Sequence, residues 1–237
     1  MCCHGVACLR LPGLNKAPHT KRHITGVVAD YRQSPPAAGN IRYTYLYGKS
    51  CYFDCFGVIR PDTFMLAYRK HGGDPDADSR FIEQSIRAAN LGLIPNSRQL
   101  IADRLGVSIE EWLHTLNHGV NVDRQLLDYI EELRKTYKTA VLSNASRGRL
   151  KEIIGAEDAE RCFDVIVESG SLGFAKPDPE IYEYAADQLG VRFDECLFTD
   201  DKEDYCQAAR AVGMQAITYQ SFDQFKSELE KLLSPIV

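Results

Sequence analysis

The 237-residue sequence has no apolar run of about 18 residues, the length a membrane-spanning helix requires, so no membrane partner is expected. Its first 29 residues contain no acid and lack the apolar core of a secretory signal. Asp30 is the single acid among residues 1–48, against six Lys/Arg. That bias resembles a transit peptide, but Pro12, Pro18, Pro35 and Pro36 deny the segment a long amphipathic helix. Residues 1–48 are read as a poorly structured N-terminal extension, within which the alternation of "IRYTYLY" (41–47) suits an edge strand. Basic surface is scarce in the rest. Residues 49–237 carry 22 Lys/Arg against 32 acids, which argues against nucleic-acid binding. Tryptophan occurs once, at Trp112, at helical spacing from Ile109 and Leu116, and is read as packing rather than as a stacking platform.

The eight cysteines form no disulfide or zinc pattern. Cys2, Cys3, His4 and Cys8 are metal-ligand types at a spacing that matches no zinc motif. Cys51, Cys55, Cys162, Cys196 and Cys206 sit in apolar segments and are expected to be free buried thiols of a cytoplasmic protein.

From residue 49 the punctuation becomes regular. "SCYFDCF" reads as a strand. Four helical segments follow with no strand between them. The first, "PDTFMLAYRKHGG", has Asp62 as its N-cap; the third is capped by Asn96 or Ser97; the fourth has a Ser108/Glu111 capping box and stops at Gly119. This stretch, 60–119, is expected to be a small helical insert. Beyond it, strands alternate with helices: "TAVLSNAS", "FDVIVES", "ECLFTDD" and "QAITY" are nearly continuous in apolar residues, while "VDRQLLDYIEELRKTY" places Leu126, Leu127, Ile130 and Leu133 on one face. That pattern predicts an α/β fold, a three-layer Rossmann-like parallel sheet formed by 49–59 and 120–237.

Polar residues cluster where these strands end. Asp54 closes the first, Ser143 and Asn144 the second, Asp200 and Asp201 a later one, and Lys176 lies in the loop "GFAKPDPE". Ligands of such sheets bind at the carboxyl ends of the strands. Carboxylates, a hydroxyl and an ammonium brought to one edge suit phosphoryl transfer: a carboxylate attacks phosphorus, Mg2+ takes carboxylate and phosphate oxygens, and lysine and hydroxyl hold the rest.

The stretches "FDCFGVI", "VLSNAS", "AKPDPEIY" and "FTDDKED" resemble, in order, the four motifs of the haloacid dehalogenase (HAD) superfamily. The resemblance spans residues 51–218, and the Asp54–Ser143 separation suits members with a helical cap inserted after the first motif. It implies that Asp54 is the nucleophile and a metal ligand, with the backbone carbonyl of Phe56 as a second ligand. Ser143, Asn144 and Lys176 would hold phosphate, Lys176 also pairing with Asp54. Asp200 would complete the Mg2+ site, supported by Asp201 or Asp204. Arg60, Arg69, Lys70 and His71 are the candidates to face the site from the cap, Arg60 and His71 foremost.

One position departs from the pattern. Phosphatases of this superfamily usually carry a second aspartate where this chain has Phe56, and that aspartate protonates the leaving group. An aromatic residue resembles the metal-free dehalogenase branch instead. Three readings therefore stand: a Mg2+-dependent phosphatase of a small phosphorylated metabolite, a dehalogenase-type hydrolase, and a non-catalytic relative that binds a phosphorylated ligand or a protein.

Overall fold

A computed structural model describes residues 50–233; the expectations for residues 1–48, including the Cys/His cluster and the 41–47 strand, lie outside the described residues. Five strands form one parallel sheet: β1 (Ser50–Phe53), β2 (Lys138–Ser143), β3 (Val165–Glu168), β4 (Cys196–Asp200) and β5 (Gln215–Thr218). Their spatial order is β3-β2-β1-β4-β5. β1 is central, pairing Phe53 with Val141 on one side and with Thr199 on the other. The chain leaves β1 towards β2 and returns on the opposite side at β4, so the direction of winding reverses at β1, the place where a parallel sheet opens a crevice.

Side chains along β1 point alternately into two cores, as the two-residue period of a strand requires. Cys51 and Phe53 enter one core with Leu126, Leu127, Ile130 and Leu133 of α5 (Arg124–Arg134), Leu150 of α6 (Arg149–Ile154), Cys162 of α7 (Ala156–Cys162) and Phe225 of α10 (Phe222–Leu233). Tyr52 enters the other with Ile181, Tyr182 and Ala185 of α8 (Pro179–Leu189) and Cys206 of α9 (Glu203–Ala211). Edge-to-face ring pairs tie both layers down, Phe53 on Phe225 at 5.7 Å and Tyr182 on Phe198 at 5.5 Å. Burial of each such side chain contributes about 1.5–3 kcal/mol. The five described cysteines are free and buried, and no helix among the described residues is long and apolar enough to cross a membrane.

Between β1 and α5 lie four helices and no strand: α1 (Phe64–Lys70), α2 (Ser79–Asn90), α3 (Arg98–Leu105) and α4 (Ile109–Asn117). They have a third core of their own, built on Tyr68, Ile82, Ile101 and Trp112. Trp112 packs edge-on to Phe64 and Tyr68, so it serves packing as its spacing suggests. The end of α2 sits against the 169–171 turn so closely that a Cβ on Gly92 would lie 2.5 Å from the Gly170 carbonyl oxygen. Local details differ from expectation. Thr63, not Asp62, is the N-cap of α1, and the Asp62 carboxylate instead accepts from the Phe64 amide at 3.0 Å. Ser97 occupies the N-cap of α3 without using its hydroxyl there, while Asn96 accepts from the Arg98 amide. α7 follows α6 after the single residue Gly155 and is a helix that the sequence pattern did not predict.

Candidate active site

Asp54 follows β1 directly, and its amide donates to the Thr199 carbonyl at 2.9 Å, which carries the β1–β4 ladder one residue past the strand. The chain then folds back tightly: the Arg60 amide donates to the Cys55 carbonyl and the Gly57 amide to the Arg60 carbonyl. Gly57 has φ +90°, and a Cβ there would fall 2.3 Å from Cγ of Asp201. Only glycine lets this turn approach the β4 loop so closely.

Asp54, Asp200 and Asp201 each offer a carboxylate oxygen, all within 4.8 Å of one another. One ammonium stands among them. Lys176 Nζ lies 2.9 Å from Asp54 Oδ1 and 2.5 Å from Asp200 Oδ2, with both the lysine and Asp200 fully withdrawn from solvent. Its contact with Asp54 Oδ1 is an ion pair without hydrogen-bond alignment. Burial favours the neutral amine, but the Asp54 and Asp200 charges overcome it and hold the Lys176 ammonium above its ordinary range. Burial pushes Asp200 up to about 7; Lys176 opposes this and Asp54 adds to it. Burial, then the Asp54 charge, raises Asp201 as well. Asp201 Oδ1 is buried with no hydrogen-bond partner. Crowded carboxylates with an orphaned oxygen fit a divalent cation, whose charge relieves both the repulsion and the missing contact.

Ser143 closes β2 and is buried. Asn144 lines the cleft, and its side chain is engaged with the lysine loop. Its side chain accepts from the Lys176 amide and donates to the Lys176 carbonyl, both at 2.9 Å, so it ties the lysine loop to the end of β2. Asp204 stands outside the carboxylate cluster, in the first turn of α9, where the helix dipole favours a negative charge.

A cleft of about 230 Å3 opens over these groups, with Asp54, Phe56, Ser143 and Asn144 on the sheet side and Phe64, Ile86, Trp112 and Leu116 on the side of α1–α4. Arg60 lines it and is buried. His71 does not line it. The helix turns that ring towards Trp112, hydrogen-bonded to Thr115 at 2.8 Å and paired with Glu111, which corrects its assignment to the site. Arg69 and Lys70 are exposed and also lie off the cleft. Several lining residues escaped sequence reading: Asp62, Arg98, Asn117, Arg149, Lys202 and Tyr205. Lys202 lies inside the fourth motif, a signal that was available; the others meet only through the tertiary fold. Phe56 lines the cleft with the Arg60 guanidinium 6.0 Å from its ring centre.

The family model for haloacid dehalogenase-like hydrolases matches residues 24–213. The chain belongs to that family. Among curated relatives, it is 33% identical over 112 residues to Phosphatase MT3486 of Mycobacterium tuberculosis, covering 45% of this chain and 49% of that one. It is 29% identical to D-ribitol-5-phosphate phosphatase of Bacteroides thetaiotaomicron, over 78% of this chain and 98% of the relative. It is 24% identical to (S)-2-haloacid dehalogenase 1 of a Pseudomonas species, over 71% and 83%. The match spans about half of Phosphatase MT3486 and 26% or less of the next three curated relatives. Among solved structures, a HAD family enzyme of Bacteroides thetaiotaomicron shares the fold at TM-score 0.64 and 22% identity, covering 76% of this chain and 98% of that one.

Proposed function

We propose that this chain is a Mg2+-dependent phosphatase of a small phosphorylated metabolite, working through an aspartyl-phosphate on Asp54. The observation that carries the reading is the carboxylate cluster: Asp54, Asp200 and Asp201 within 4.8 Å, with Lys176 the one ammonium in ion-pair contact with them among the described residues and an unpartnered oxygen on Asp201. A metal-free carbon-centre hydrolase has no use for that crowding. The similarity to Phosphatase MT3486 and to D-ribitol-5-phosphate phosphatase supports the same choice.

Asp54, Asp200, Asp201 and the carbonyl of Phe56 would hold Mg2+, which neutralises charge on the transferring phosphoryl oxygens. The Asp54 carboxylate attacks phosphorus; the new O–P bond forms as the ester oxygen leaves. Ser143, with neighbouring backbone amides, and Lys176 hold the remaining phosphoryl oxygens, and Asn144 fixes Lys176 through its backbone. Water then cleaves the acyl phosphate and returns Asp54. The helices α1–α4 form the cap that closes the cleft and keeps bulk water out. Phe56 supplies no proton. Among the described residues lining the cleft, Asp62 is the one carboxylate besides Asp54.

The aromatic Phe56 favours a second reading, a 2-haloacid dehalogenase. Turnover of p-nitrophenyl phosphate and acetyl phosphate with Mg2+ and with EDTA separates the alternatives. Metal-dependent phosphate release supports the proposal, and chloride release from 2-chloropropionate in EDTA supports the dehalogenase. Silence in both, with Mg2+ still bound, supports a non-catalytic relative.

A further inference from the structure

The cleft holds more positive charge than one phosphate monoester requires. Lys176 already sits at the nucleophile end. Three guanidiniums line the same cleft from three separate elements: Arg60 from the turn before α1, Arg98 from the start of α3 and Arg149 from the start of α6. Arg60 Nη1 and Arg149 Nη2 both donate to one atom, Asn117 Oδ1, at 3.4 and 3.2 Å, so two like charges face each other across a single amide oxygen. Arg60 is 6% exposed, and its Nε is buried with no partner. Its other contact is the Leu116 carbonyl, and it makes no ion pair among the described residues; the Asp62 charge, from the same cleft, offsets it only in part. Arg149 pairs with Glu152, which is itself 64% exposed. Arg98 makes no ion pair among the described residues. Burial, and then the charge of Arg149, lowers the Arg98 pKa, and both effects also lower that of Arg60.

Guanidiniums crowded together in a half-closed cleft, one with an unused N–H, are costly unless an anion comes between them. Their planar fork matches the oxygens of a carboxylate or phosphate. A neutral polyol end would leave these donors without compensation. Phe56, Phe64, Trp112 and Leu116 add apolar wall to the same cleft, and its volume of about 230 Å3 suits a chain of a few carbons.

We propose that the substrate is a short phosphate monoester carrying a second anionic group, a carboxylate or a second phosphate, and that Arg60, Arg98 and Arg149 receive that second group. The inference rests on the phosphatase reading for which end of the ligand reacts.

Matched pairs test it. With Mg2+, kcat/KM is measured for 3-phosphoglycerate against glycerol 3-phosphate, and for propane-1,3-diol bisphosphate against 3-hydroxypropyl phosphate. The first pair tests a carboxylate, the second a phosphate. In at least one pair the doubly anionic member is expected to be favoured by about 10–100-fold, the worth of one charged hydrogen-bonded contact. The preference should fall towards unity in Arg98→Gln, whose side chain has no ion pair to lose, with Arg98→Lys in between. A preference below twofold in both pairs overturns the proposal. So does a preference that survives Arg98→Gln and Arg149→Gln in folded proteins. If no phosphate ester turns over, the function assigned above fails on its own. Calorimetric affinities of the same four compounds for the Asp54→Asn protein then decide this inference by the same ratios.

Discussion

Replacing Lys176 with methionine removes the one ammonium shared by two buried carboxylates and leaves the rest of the loop intact. The lysine side chain is 1% exposed, Asp54 7% and Asp200 0%, so water cannot replace it. Breaking a buried pair on one side costs about 3–5 kcal/mol. For a domain of this size each kcal/mol moves the melting temperature by roughly 2–4 °C, so a drop of roughly 6–20 °C is expected without metal. The drop depends on pH. Burial, with Asp54 adding to it, already pushes Asp200 up to about 7 against the pull of Lys176, and loss of the ammonium pushes it further. A carboxyl whose folded pKa is raised contributes stability as pH falls through that value. The gap between wild type and variant should therefore be wide at pH 8 and narrow at pH 6. Asp200→Asn added to Lys176→Met should recover about half the loss or more, because the repulsion with Asp54 disappears. Mg2+ should also raise the variant's melting temperature more than the wild type's. Thermal melts at the two pH values, with and without Mg2+, read all of this. A Lys176→Met loss below about 1 kcal/mol, or strict additivity with Asp200→Asn, would refute the electrostatic account.

Three further outcomes are expected. Gly57→Ala places a Cβ 2.3 Å from Asp201 at φ +90°, so it should cost about 1–3 kcal/mol and weaken Mg2+ binding about 10–100-fold by calorimetry; an unchanged affinity would show that Asp201 is no ligand. Phe56→Asp should raise turnover of alkyl phosphates by up to roughly 10²-fold while aryl phosphates gain less, once a melt confirms folding; no gain would place the proton donor elsewhere, with Asp62 the next residue to replace. Arg104, then Tyr68, holds the Asp78 carboxyl below the ordinary value of 3.8, so its contribution is present above that value and lost as pH falls below it. Asp78→Asn should flatten the acid limb of the melting curve, and an unaltered limb would contradict the pairing.

The sheet was legible because its strands are buried on both faces and therefore nearly continuous in apolar residues. The chain order of the strands and of the helices other than α7, the capping of α4 by Ser108 and the core face of α5 followed from local pattern. The central place of β1 did not, since strand order is set by crossovers that no local signal encodes. At the site, Asp54, Ser143 and Asp200 could be picked out because polar groups at the ends of apolar strands are conspicuous. Asn144 was picked for the same reason, but its partner, the Lys176 backbone, lies 32 residues away. His71 was placed at the site from its position at the end of α1; the rotation of that short helix against Trp112 decided otherwise. Asn117 and Arg149 carry no local signal at all, and they gain a shared role only where α4 and α6 meet at the cleft.

Covalent chemistry at Asp54 is the central claim, and a trapped intermediate tests it most directly. The protein is mixed with acetyl phosphate and Mg2+, quenched in acid within one turnover, digested and mapped by mass spectrometry. A phosphoryl adduct on Asp54 is expected, absent in EDTA and absent from Asp54→Asn. Phosphate release with no adduct on that residue, or release that persists in Asp54→Asn, would contradict the account.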